Sequence, residues 1–443
     1  MKSNRKNHIF LKMLLFFMTA FVFASCDKKL DKLDIFRDKE STIPRESSYM
    51  YALVENGDMT ATSVEERIGK NNEFVVNSKT MEEDILKYEI TYRGAVFKVD
   101  VMLTEIEPPN YFRNIHQIKE AEYKKIIGTT NAVGTKMDFV GSNIDSYHFQ
   151  LKLLNTIAPD LLAVVDYSSY NILAGKWVNM TAKSKIPPPP SYVSSIFLVN
   201  KDNTAWLYTL GLRRCGSMEM EIINSNKQYF NYHYNLLETL TERVVSREYL
   251  PKSKEPIYAG KDIILTWIPT EEALKDVKEG ELASSKDREN EIYKNTLVIY
   301  SYVDEKAVEK KQVTPMSAIN DIVKNRTLYY VSTQESQRMS ALAKERWEYP
   351  MKALKNSKYK VQMKFAIPMD IVGVNKDSSE HMWFAVEKIK GEEVTGILLN
   401  EPYEVRTMKK GDKVKLKKSQ LTDWIIYNEN ERIVPDMAYK LDE

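Results

Sequence analysis

Residues 13–24 (MLLFFMTAFVFA) form an apolar run behind a start that carries Lys2, Arg5, Lys6 and Lys12 and no acidic residue. As a helix the run is too short to cross a bilayer, which takes roughly 20 apolar residues, and it has the length of a secretion-signal core. The small residues Ala24 and Ser25 come next, where a peptidase must grip extended backbone, and then Cys26. The pattern predicts that residues 1–25 are removed and that the chain from Cys26 onward folds outside the cytoplasm. A cleaved signal with a chance cysteine, or an uncleaved anchor helix, are the other readings of these residues.

The stretch Phe23-Ala24-Ser25-Cys26 resembles the lipobox of bacterial lipoproteins, with Phe23 where leucine is usual. The resemblance implies that Cys26 is acylated and that the protein meets the membrane through that lipid. Each buried methylene adds about 0.8 kcal/mol, so one chain holds marginally and several hold stably. Residues 26–42, which include DKKLDKLD at 27–34, read as a solvated tether. The stretch is similar to the export-signal region of lipoproteins from Bacteroidetes-type bacteria. The expected location is the cell envelope, on the periplasmic face or the cell surface.

Removing residues 1–25 takes away four of the 64 basic residues and none of the 62 acidic ones. What remains is nearly balanced in charge and offers no electrostatic footprint for nucleic acid. About 418 residues exceed one ordinary core, so two or three domains are expected. Abundant tyrosine and scarce glycine suit an ordered α+β protein. If Cys26 is acylated, Cys215 has no intramolecular partner, and a disulfide-stapled fold is excluded on count. Cys215 reads as a small buried hydrophobe; Arg213 and Arg214 beside it would lower its pKa only if they lay close to the thiol.

Periodicity divides the chain further. Strands are expected at 49–54, 161–166, 192–199 paired with 204–209, 219–223, 262–269 and 295–303, and a hairpin over 88–102 turning at Gly94. Helices are expected at 81–86, 117–127, 145–157, 230–245 and 271–277, the last capped by Thr270. Pro187 to Pro190 must be extended and read as a rigid connector inside one domain. Residues 279–290 read as an exposed loop, and the charged stretch 304–312 as the linker, with a start near 330 as the alternative. A helix over 338–354 then leads a strand at 359–367. The expectation is an α+β domain at 43–310, of one piece or two subdomains, and a small β-rich, barrel-like domain with one leading helix at 331–435.

In that last part Glu380-His381-Met382-Trp383, Gly396 with Leu398, Asn400-Glu401-Pro402, Gly411-Asp412-Lys413-Val414 and Asp423-Trp424 occur in order. Together they resemble the YegJ-like family of small uncharacterised bacterial domains, and Ala341 to Arg346 matches its leading helix loosely. Asp166-Tyr167-Ser168-Ser169, the stretch WLYTLGLRRCG at 206–216 with Glu219, and Thr266-Trp267-Ile268-Pro269 resemble, more faintly, the longer region that precedes such domains in larger bacterial proteins. The resemblance implies boundaries and a fold, and no activity. Read from the residues, Asn400-Glu401-Pro402 and Gly411-Asp412 are turns. Asp423 and Trp424 pair inside the fold, or Asp412 and Asp423 line a ligand site.

No catalytic constellation stands out. The histidines beyond the signal are His116, His148, His233 and His381, and none has the spacing of a zinc helix, so no metal or other cofactor is expected. Glu380 and His381 are neighbours on a strand and face opposite ways. Ser168 lacks the flanking glycines of a nucleophile elbow. The leading expectation is a membrane-tethered, non-enzymatic binding protein whose partner is an envelope protein or glycan, with Trp383, Trp424 or Tyr403 in contact. The alternatives are an envelope hydrolase using Glu380, His381 or Asp423, and an immunity or stress-response lipoprotein.

Overall fold

A computed structural model describes residues 44–55, 59–246, 250–260, 262–288, 293–325, 333–369, 379–429 and 431–442; the signal, Cys26 and the tether lie outside the described residues. The chain divides into two compact units that part between residues 330 and 331. No helix among the described residues is long and apolar enough to cross a membrane.

The first sheet of the larger unit grows from tight hairpins. Its strands are β1 (Ser48–Leu53), β2 (Val75–Glu82), β3 (Ile85–Tyr92), β4 (Ala95–Glu105), β5 (Arg113–Asn114), β6 (Asn131–Met137), β7 (Ala163–Asp166) and β8 (Asn171–Ala174). They lie in the order β2-β3-β4-β6-β1-β7-β8-β5, antiparallel except for β5 against β8. Arg93 and Gly94, both at positive φ, make the expected turn between β3 and β4. The helix expected at 81–86 is instead the turn between β2 and β3. Glu83 and Asp84 both adopt positive φ, which matches a two-residue hairpin loop to the strand twist and cannot continue a helix.

Against this sheet pack α1 (Ala61–Gly69), α2 (Glu120–Ile127), α3 (Asn143–Ile157) and α4 (Gly175–Lys183). Helix α3 is buried on nearly every side, which is why its apolar residues form no narrow stripe. Phe149 stacks on Phe97 at 4.4 Å and meets Phe74 edge-on at 5.4 Å. Several polar groups of α3 find partners inside the fold. Gln150 donates to the Ser48 carbonyl (3.2 Å) and the Thr135 hydroxyl (3.1 Å), and Lys152 reaches the Ala182 carbonyl and Glu73.

The second sheet is reached through the prolines, after which Tyr192 stacks on Trp177 at 4.3 Å. It contains β9 (Ser195–Lys201), β10 (Thr204–Leu210), β11 (Glu219–Asn226), β12 (Ile257–Gly260), β13 (Ile263–Pro269), β14 (Thr296–Tyr302) and β15 (Thr314–Pro315). The order is β12-β13-β14-β11-β10-β9, with β15 on β14 and a parallel step between β11 and β14. Helix α5 (Phe230–Val245) occupies its predicted span.

Three expectations here are corrected. Thr270 does not cap a helix: Pro269 holds the cap position of α6 (Thr270–Ala273), and the Thr270 hydroxyl bonds to Thr296 instead. The loop expected at 279–290 is not simply exposed over its described residues, 279–288, because Leu282 and Ala283 pack on Trp206 and Arg288 is buried. The charged stretch 304–312 is no linker. Its charges flank a short helix, α7 (Glu305–Glu309), that buries Ala307 against Ile264 and Tyr302 before β15 rejoins the sheet.

In the smaller unit the single expected helix is two, α8 (Thr333–Glu345) and α9 (Glu348–Ala353). At the break Arg346 donates to the Pro435 carbonyl at 2.5 Å. The strands β16 (Lys360–Pro368), β17 (Ser379–Lys390), β18 (Glu393–Leu398), β19 (Lys413–Lys417), β20 (Leu421–Tyr427) and β21 (Arg432–Ile433) run in the order β19-β18-β17-β16-β20-β21, all antiparallel. The sheet is open at β19 and β21 rather than barrel-like. Trp424, fully buried, donates its indole N–H to the Ala343 carbonyl at 3.2 Å and holds α8 against β20. The α+β class stands.

Gly175 opens α4 where a Cβ would lie 2.2 Å from the Leu161 carbonyl oxygen and 2.7 Å from that of Leu162, both backbone. Gly175→Ala is therefore expected to lower stability by about 1–3 kcal/mol or more. Gly69→Ala, which meets nothing within 4 Å, is expected to be neutral or stabilising. Thermal unfolding of the two variants beside the parent protein checks both.

Candidate functional site

Strand register sorts the C-terminal candidates onto two faces. On β17, Glu380 shares a face with the buried Met382 and Phe384, while His381 and Trp383 point the other way. Glu380 is fully engaged: its carboxylate accepts the backbone N–H groups of Tyr403 (2.8 Å), Glu404 (2.9 Å) and Val405 (3.0 Å). It fixes the loop after β18 and cannot join His381 around one substrate. On the other face Lys364 of β16 lies opposite Trp383 on one side and Asp423 on the other. The Lys364 ammonium sits 5.6 Å from the centre of the Trp383 ring. His381 Nδ1 is 3.2 Å from the Thr422 hydroxyl, which itself donates to the Lys364 carbonyl.

Burial pushes the Asp423 carboxyl up to about 7, against the pull of the Trp424 N–H and Lys364. Burial, with Lys364 nearby, lowers His381 to about 4. The remaining candidates hold turns. Asn400 accepts the Trp383 N–H, Glu401, beside Pro402, accepts the Lys410 N–H, and Asp412 accepts the Lys409 N–H. Trp424 is core, and Tyr403 is 69% exposed.

A second constellation lies in the larger unit, where the two sheets meet. The connection from β10 to β11 drives Arg214 beneath the first sheet. Its guanidinium takes both oxygens of Asp166, at 3.0 and 2.9 Å, and also donates to the Ser48 hydroxyl and the Val193 carbonyl. The arginine is 1% exposed and the aspartate not at all. Burial opposes the charge on Arg214, and the Asp166 carboxylate more than offsets it, so the guanidinium stands above its ordinary value.

One step along, the buried Glu219 carboxylate accepts the N–H groups of Gly211 (2.9 Å), Leu212 (2.9 Å) and Arg213 (3.3 Å), with the Thr209 hydroxyl on its other oxygen. Burial raises Glu219 despite these bonds. Gly211 makes the loop possible, with φ +112° and the Val193 carbonyl 2.6 Å from where a Cβ would stand.

Above this floor opens a cleft of about 350 Å³, walled by Tyr49, Tyr167 and Tyr170, with Ser168 and the Glu46–Arg213 ion pair (2.9 Å) among its lining. Sequence alone does not reveal it, because its residues are scattered from position 46 to position 219. The one available signal is the faint resemblance at 166–169 and 206–219, whose residues form most of the floor. Cys215 lies buried there, and burial pushes its thiol up to about 12, so it is not a reactive thiolate. His116, His148 and His233 are buried structural groups. His116 accepts the Ala174 N–H on Nδ1, His148 donates to the Thr181 carbonyl, and His233 bonds Ser225. No group of ligating side chains suited to a metal occurs among the described residues.

These are the features of a two-sheet α+β body followed by a separate antiparallel-sheet domain. Residues 48–188 match the family model described as protein of unknown function (DUF4026) N-terminal, and residues 195–300 its C-terminal counterpart. Residues 334–435 match the model described as uncharacterized protein conserved in bacteria (DUF2314). The chain thus carries the two DUF4026 domains, one for each sheet of the body, and a bacterial DUF2314 domain. No curated protein and no solved structure matches it.

The buried carboxyl of Asp423 carries a pH dependence. Its folded-state pKa, about 7, lies above the ordinary 3.8. The folded form therefore holds the proton more tightly, and the residue removes stability as pH rises between those values. His381, lowered from 6.5 to about 4, has the opposite sign and adds stability as pH rises through nearly the same window. These two contributions nearly cancel within the wild-type protein, but the difference between the two proteins isolates Asp423. Asp423→Asn is expected to gain stability relative to wild type from pH 4 to pH 7, measured by thermal melting of both proteins across that range. A constant offset would contradict the assignment.

Proposed function

We propose that the protein is a lipid-anchored binding protein of the bacterial cell envelope, tethered through Cys26, with the tyrosine-walled cleft as its ligand site. The observation that carries the binding half is the state of the cleft's charges. Glu46 is paired with Arg213, Asp166 with Arg214, and Glu219 with a ring of backbone N–H groups. Such an arrangement is preorganised to hold a ligand, while a nucleophile or general base needs a group whose proton or lone pair is available. No histidine or cysteine is among the residues lining the cleft, and Ser168, which accepts the Tyr49 N–H, has no histidine there to take its proton.

The anchoring half rests on the charged start, the short apolar run and the small residues before Cys26. The C-terminal domain is read as YegJ-like on the ordered motifs from Glu380 to Trp424. Growth with an alkyne-tagged fatty acid tests the anchor. The wild-type protein is expected in the membrane fraction, labelled and shortened by residues 1–25, and Cys26→Ala unlabelled. An unlabelled, full-length wild-type protein would contradict the proposal.

A further inference from the structure

We infer that the cleft and the aromatic row beside it take a neutral oligosaccharide; this rests on the reading of the cleft as a ligand site and names what the ligand is. Sugars present two kinds of surface: flat faces of C–H groups, which pack on aromatic rings, and edges of adjacent hydroxyls, which pair with planar carboxylates and guanidiniums. The cleft supplies both. Tyr167 and Tyr170 offer half-buried rings, and the Glu46–Arg213 pair stands at 58% and 25% exposure, able to accept and donate at once.

Charge argues against an anionic ligand. Counting Asp166 beneath the floor, three carboxylates face two guanidiniums, so a phosphate or carboxylate ligand would find no uncompensated positive charge. The strands argue against an extended peptide, which binds by adding to an open sheet edge. The cleft stands over β1, β7, β10 and β11, and each of these already has a neighbour on both sides.

The row of rings argues for several sugar units. From Tyr170 the aromatic contacts run outward to Tyr111, itself 67% exposed, at 6.1 Å. They run the other way through Phe197 (6.3 Å) and Tyr208 (5.6 Å) to Tyr293 (5.0 Å). Tyr170 belongs to both the cleft and the row, so a chain seated in the cleft can continue outward over the exposed Tyr111, while Tyr208 and Tyr293 at the other end pack against Trp206, Leu282 and Ala283.

The test is isothermal titration of the full-length protein, in a detergent without a sugar headgroup. The probes are linear tetrasaccharides of glucose, mannose and N-acetylglucosamine, their monosaccharides, a glycerol-phosphate oligomer and an unstructured pentapeptide. At least one neutral tetrasaccharide is expected to bind more tightly than its monosaccharide. Tyr170→Ala is expected to weaken it about tenfold, while Tyr170→Phe, which keeps the ring, binds nearly as wild type. Circular dichroism melts of both variants separate loss of binding from loss of fold. Binding of the phosphate oligomer or the peptide, dependent on Tyr170, would overturn the carbohydrate assignment and leave the cleft a binding site. Failure of every probe, or binding indifferent to Tyr170→Ala, would overturn the assignment and remove support for the cleft as well.

Discussion

Arg214 and Asp166 meet where neither reaches water, and each belongs to a different sheet of the larger unit. Asp166 ends β7 in the first sheet, and Arg214 sits in the turn between β10 and β11 of the second. A buried guanidinium without its carboxylate is strongly unfavourable, so neither sheet can hold its half of the pair without the other. The pair also organises its neighbours. Asp166 accepts the Ser168 N–H and the Ser169 hydroxyl, which shapes the turn bearing Tyr167 and Tyr170. Further N–H groups on the two terminal nitrogens of the arginine reach Ser48 at the start of β1 and the Val193 carbonyl at the entry to β9. Aromatic faces of Phe139 and Tyr147 stand 5.4 and 5.1 Å from the guanidinium carbon and complete its enclosure.

From that joint the cleft arises. The loop that delivers Arg214 also presents three backbone N–H groups, and Glu219 satisfies all of them from the next strand. Arg213, its sequence neighbour, emerges at the rim and pairs with Glu46. One short segment thus sends one guanidinium down to lock the sheets and another outward to face solvent. Glu221, two residues beyond Glu219, repeats the arrangement deeper in the second sheet. It accepts the Trp206 indole N–H, the Thr296 hydroxyl and the Arg288 guanidinium. The polar interior of this body is therefore a set of carboxylates, each with specified donors, which favours a single packing of the sheets.

Local structure is largely legible in the sequence, and distant pairing is not. Alternation and turn chemistry mark β1, the β3–β4 hairpin at Gly94, the β9–β10 pair and α5, because those signals act within a few residues. The turn at Glu83 and Asp84 escapes them, since acidic residues at positive φ leave no periodic trace. Residues 304–312 look like a linker when charge is weighed over Ala307, the buried residue that sets the helix against β14. In the C-terminal domain the opposite facing of Glu380 and His381 is foreseeable from strand geometry alone. The role of Glu380 as an acceptor for three N–H groups of a loop 23 to 25 residues away is not. The same holds for Arg214 and Asp166, 48 positions apart: their motifs are visible and their partnership is not.

The central claim is that this one buried pair couples the two sheets, and a double-mutant cycle measures it directly. Arg214→Met, Asp166→Leu and the double variant are compared with wild type by denaturant unfolding. Each single change strands a buried charge and is expected to cost roughly 3–5 kcal/mol. The double change removes both charges together and is expected to cost far less than the sum, leaving a coupling energy of several kcal/mol. Additive losses would mean that the two residues act independently, and would contradict the account.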